Sequence, residues 1–150
     1  MSGPTYVTHI DQVIMVHVDS FQLVTGRHLN PSTGQALSTP LLILRVSSHG
    51  DVKFPHPDIN LVFVHFTDQP HPNVGQIDGV TLDLYVHIVE TQTWWQLLSN
   101  GRSTLSADVN NTLGVVGVLL WNEEVATDKD PAEQLAAVRE LLRRPANVPA

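Results

Sequence analysis

The sequence predicts a mainly β fold, an antiparallel β-sandwich or barrel of about seven or eight strands with one C-terminal α-helix. Three observations predict it. Apolar residues recur at every second position along most of the chain, which is the period of a strand with one buried face. Between those runs no helical pattern intervenes, so the strand–helix alternation of a parallel α/β sheet is missing. Only beyond residue 130 does the spacing change to that of an amphipathic helix.

Residues 7–19 place Ile10, Ile14, Val16 and Val18 at even positions, while the odd positions mix Val13 and Met15 with His9, Asp11, His17 and Asp19. One apolar and one mixed face describe a half-covered antiparallel strand, and 21–24 extends it after a kink. Residues 26–40, with Asn30-Pro31, Gly34 and Pro40, read as a loop or a long hairpin connection. A second strand covers 41–47 and ends in a turn at Ser48-His49-Gly50-Asp51. A third covers 59–67 and is apolar on both faces, as in a strand hidden on both sides.

Pro55-His56-Pro57 and Pro70-His71-Pro72 flank that third strand. Proline fixes its own φ and pushes the preceding residue into extended geometry, so each unit stiffens a strand exit and protects an edge. The two histidines would stand roughly 30 Å apart along an extended strand, too far to share one ligand.

Residues 69–79 hold Pro70, Pro72, Gly75 and Gly79 and read as a loop. In 81–90, Leu82, Leu84, Val86 and Ile88 alternate with Asp83, Tyr85 and His87, a clean strand. Residues 93–98 read as another strand, closed by the hairpin signal Asn100-Gly101. A short strand over 105–109 and a buried one over 115–121, with Gly117 inside it, complete the β region.

The helix covers about 131–144. Asp130 supplies the N-cap, Pro131 the first position and Glu133 an acid in the first turn. Leu135, Val138, Leu141 and Leu142 form its apolar stripe; Arg143 and Arg144 meet the negative end of the dipole before Pro145 stops it. The stripe must bury against the protein's own sheet or a neighbouring subunit. Residues 1–145 thus read as a single domain and 146–150 as a short tail.

Composition narrows the function classes. The 150 residues are 42% hydrophobic and 15% charged, which fits a packed domain whose surface is poor in charge. A net charge of −7, with the basic residues scattered singly until Arg139, speaks against nucleic acid. The absence of cysteine excludes disulfides, thiolate catalysis and thiolate metal sites. The N-terminal stretch lacks a basic segment followed by an apolar one, so no secretory signal is expected. Nine residues, 113–121, form the longest apolar run, far short of the about 20 that a membrane helix needs. The expectation is a soluble cytoplasmic protein with no membrane partner.

His17, His65 and His87 stand mid-strand or near a strand end in the related phrases Val-His-Val, Val-His-Phe and Val-His-Ile. Gathered together, three imidazoles would make an open metal site, completed by Asp19, Asp68 or Glu90. The simpler reading leaves His17 and His87 on polar strand faces and gives His65 a hydrogen-bonded neighbour. No His-x-His places two ligands on one strand face, and no nucleophile elbow, phosphate loop, dinucleotide fingerprint or His-Glu-x-x-His occurs.

Trp94-Trp95 on a strand would point to opposite faces, one in the core and the other under the helix, in a pocket or at a subunit contact. The expected function is therefore a non-enzymatic domain that acts through protein–protein contacts, in a homo-oligomer or larger assembly, without a cofactor. The rival expectation is a small barrel that binds or transforms a small apolar ligand, its interior lined by Trp94, Trp95, Tyr85, His87 and Asp83. A metal site on His17, His65 and His87 is the third.

Overall fold

The computed structural model describes residues 9–38, 40–48, 58–68, 74–123 and 131–143. In chain order the strands are β1 (Gln12–Val24), β2 (Arg27–Leu29), β3 (Ala36–Ser38), β4 (Leu41–Ser48), β5 (Leu61–Thr67), β6 (Gly75–Asp78) and β7 (Thr81–His87). A 3-10 turn (Ile88–Glu90) and helix α1 (Thr91–Ser99) follow, then β8 (Ser103–Asn110), β9 (Gly114–Asn122) and helix α2 (Pro131–Arg143). Seven strands close into a barrel in the order β1-β4-β5-β7-β6-β9-β8, while β2 and β3 form a separate hairpin within 26–40. The mainly β architecture with a terminal helix is thus present, and the choice between sandwich and barrel falls to the barrel. Both Pro-His-Pro units, the turn after Ser48, Asp130, Arg144, Pro145 and the tail lie outside the described residues.

Two-residue alternation builds the core. Ile14, Val16 and Val18 of β1 point inward with Leu42, Leu44, Val62, Val64, Phe66, Leu82 and Leu84, all buried in one cluster. Inward side chains fill a barrel this narrow. The kink expected after residue 19 is a bulge, where the β1–β4 register shifts between Val18 and Ser20.

The odd face of β1 is also hidden. Val13 and Met15 pack outside the barrel against Leu135 of α2, with Leu119 and Trp121 of β9 beside them. The helix stripe therefore buries against its own sheet, but only in part: Leu141 and Leu142, near its C-terminal end, are 63% and 66% exposed.

Four details differ from the sequence reading, one of them the end of the strand expected over 81–90, where residues 88–90 form a 3-10 turn. The barrel is mixed, because β5 and β7 pair in parallel. Within 69–79, which read as a loop, residues 75–78 form β6. It turns back through Gly79, at φ 62, into an antiparallel pair with β7, and that hairpin sets β7 parallel to β5. The fourth difference is the segment 93–98, which is not a strand but the body of α1. Its buried residues Trp94 and Leu98 are four apart, one helical turn, so they share a face that packs into the core cluster. Accordingly Asn100-Gly101 ends a helix and leads into β8 rather than turning a hairpin.

The barrel closes between β6 and β9 at one registered pair, Gly75 with Val115. A Cβ on Gly75 would stand 2.4 Å from the Asp83 carbonyl oxygen, so only glycine lets β6 start this close to β7. Among the described residues no helix is long and apolar enough to cross a membrane.

Candidate functional site

The outer face of the parallel β5–β7 pair gathers three of the singled-out residues. Alternation that sends Leu82, Leu84 and Val86 inward sends Asp83, Tyr85 and His87 outward, so these three do not line the interior. The register sets Phe63 beside Asp83 and His65 beside Tyr85. The His65 ring stacks on Tyr85, with centroids 5.3 Å apart and planes 24° apart. Its Nε2 lies 2.9 Å from Asp83 Oδ1. A carboxylate only accepts, so Nε2 carries the proton and, in the neutral ring, Nδ1 is left as an acceptor. Asp83 orients the imidazole, Tyr85 supports its plane, and the Phe63 ring lies 6.5 Å away, tilted by 41°.

His87 has a different task. Its Nδ1 accepts the Val89 N–H at 3.2 Å and caps the 3-10 turn that leads into α1.

His17 belongs to a cluster on another side of the barrel. Register places it beside Thr104 of β8, and both side chains hydrogen-bond Glu123 Oε1, just past the end of β9. Arg102 Nε stands 3.4 Å from the other carboxylate oxygen. Burial works against the Glu123 charge, but the hydrogen bonds from Thr104 and His17 and the charges of His17 and Arg102 outweigh it. The carboxyl therefore sits below its ordinary pKa. His17 is thus separated from His65 by strand β4, and among the described residues no three His, Asp or Glu side chains are grouped to hold a metal ion.

A second half-buried acid ties α2 to the barrel. Asp108 of β8 bonds Arg139, and its pKa is raised because burial outweighs the opposing pull of the guanidinium.

The tryptophans do not oppose each other across a sheet, since helical neighbours are about 100° apart around the axis. Trp94 is buried with its ring edge-on to Phe66, centroids 6.2 Å apart. Trp95 is 40% exposed and sets an edge against Phe21 at 5.2 Å.

Searches against protein-family models, curated proteins and solved structures return no match. The site must be read from its own chemistry.

Two open clefts adjoin these groups. One, of about 580 Å³, lies between Val18, Asp19, Phe21, Leu98 and Arg102. The other, of about 360 Å³, is bounded by Val24, Pro40, Leu41, His65 and Thr67. Sequence reasoning missed Thr104, Glu123 and the cleft walls, because each depends on pairing between strands far apart in the chain. The outward alternation of Asp83 and Tyr85 was the one usable signal.

Proposed function

We propose that the protein is a non-enzymatic contact module that works by self-association, with the outer face of β4–β5–β7 as its contact surface. The observation that carries this reading is the apolar character of that face. Leu41, Ile43, Phe63 and Tyr85 lie there half-buried, and no described helix packs over them, whereas α2 shields β1 and β9. On a barrel whose interior is already full, outward aliphatic and aromatic side chains are what a protein interface uses at its centre.

Charge favours a second copy as the occupant. Arg45 stands on the β4 side of the patch and Asp83 on the β7 side, with β5 between them. A two-fold axis through β5 would bring each toward its opposite in the partner, as a self-complementary interface requires.

Light scattering coupled to size exclusion tests the reading. The protein should run as a dimer or larger at about 100 μM, a concentration that populates even a weak specific complex, and Phe63→Glu should return it to monomer. A parent protein that stays monomeric there would sink the reading.

A further inference from the structure

We infer that the cleft between β1 and the C-terminal end of α1 binds a small zwitterion, a free α-amino acid with an apolar side chain. It shares no residue with the face proposed for self-association, so either can hold without the other.

Two opposite charges line this cleft and are bonded away from each other. Val18 and Ser103 form the last registered pair of β1 and β8, so Asp19 and Arg102 stand one step beyond it on neighbouring strands. In the barrel order β4-β1-β8-β9, Asp19 turns toward β4, where its Oδ1 accepts the Ser47 hydroxyl at 3.1 Å. The β1 bulge lies at this residue, a device that re-aims a side chain. Arg102 turns the other way, its Nε 3.4 Å from Glu123 Oε2 past the end of β9. Among the described residues no ion pair joins Asp19 to Arg102, and neither Asp19 Oδ2 nor the Nη atoms of Arg102 have a partner.

The space between them has an apolar floor. Val18 and Leu98 are buried, and Phe21 packs against the same core with the edge of Trp95 5.2 Å behind it. Ser103 is already occupied, accepting from Asn122 Nδ2 at 3.2 Å. Gly101 adds no side chain, which leaves that wall open, and Ser20 stands exposed at the rim. The last turn of α1 carries no basic residue, so the negative end of its dipole joins Asp19 in favouring an ammonium group.

That arrangement selects the ligand class. A plain carboxylate would meet Asp19 and a chain of net charge −7, while a plain amine would meet Arg102. An α-amino acid carries both charges on one carbon, close enough to face two residues on strands roughly 5 Å apart. The volume of about 580 Å³ is within the range for small-molecule sites and leaves room for a side chain as large as a ring.

Free phenylalanine, phenethylamine and hydrocinnamate share one apolar body and differ only in charge, so they serve as probes in nitrogen-15 NMR titrations of the whole labelled protein. Phenylalanine should shift the amides of Ser20, Phe21 and Gly101 along a saturable curve. Each of the other two should bind about fivefold more weakly, the upper weight of one exposed ion pair. Arg102→Gln should bring phenylalanine down to the level of phenethylamine without weakening phenethylamine. Asp19→Asn should bring it down to hydrocinnamate without weakening hydrocinnamate. Both side chains are exposed, so both variants are expected to fold, with spectra unchanged away from the cleft.

Phenethylamine or hydrocinnamate binding as tightly as phenylalanine would overturn the inference. So would shifts that do not saturate, shifts centred elsewhere on the barrel, or charge variants that bind all three probes as the parent does. The oligomeric state of Phe63→Glu does not enter this test.

Discussion

Glu123 draws its partners from β1, from β8 and from Arg102 just before β8, which makes it the most informative single residue for stability. Its pKa is depressed in the folded protein, so the stability it contributes is fully present above the ordinary glutamate value of 4.5 and is lost as pH falls through the folded value. Glu123→Gln should lower stability at neutral pH by about 1–2 kcal/mol, the weight of hydrogen bonds to a charged group. The difference from the parent should shrink once the solution is more acidic than the depressed pKa. Thermal melting at neutral and acidic pH checks this, and a constant difference would reject it. None of it was legible in the sequence, since Glu123 and His17 stand 106 positions apart and only the β1–β8–β9 register joins them. The outward placement of Asp83 and Tyr85 was legible from Leu82, Leu84 and Val86 on the other face. That His65 joins them was not, because the parallel β5–β7 pairing depends on the β6 turn.

At the level of elements, α1 and α2 show which signals carry. Pro131, Glu133 and the Leu135-Val138 spacing announced α2, and it forms from Pro131 as expected. In α1 the β-branched and aromatic run Thr93-Trp94-Trp95 has the composition of a strand, and tertiary packing overrides it. The pair Trp94 and Leu98 was the helical cue, since both residues reach the core only at a 3.6-residue period. The two tryptophans should then separate sharply on mutation. Trp94→Ala should cost about 3–5 kcal/mol, as for a buried aromatic in a core. Trp95→Ala should cost less than about 1 kcal/mol, because it loses an edge contact at the surface. Denaturant unfolding of both variants checks the contrast, and similar losses would contradict the placement of α1.

For the molecule as a whole, α2 shields one side of the barrel and no described helix covers the opposite face of β4, β5 and β7. Leu135 and Arg139 of α2 pack on β1 and bond to β8, whereas Ile43 and Phe63 face outward beneath no described helix. The period-two pattern foretold that 59–67 would be apolar on both faces, and it could not say whether a helix of this chain or another molecule meets the outer one. The same pattern missed closure, which rests on the short β6 hidden in a glycine- and proline-rich stretch. That closure has a dynamic consequence. A ring of strands fastened at the single Gly75–Val115 pair should breathe there first, like a cuff with one button. Backbone amides of β6 and the start of β9 should swap hydrogen for deuterium fastest among the seven strands, and those where β1 runs between β4 and β8 should swap slowest.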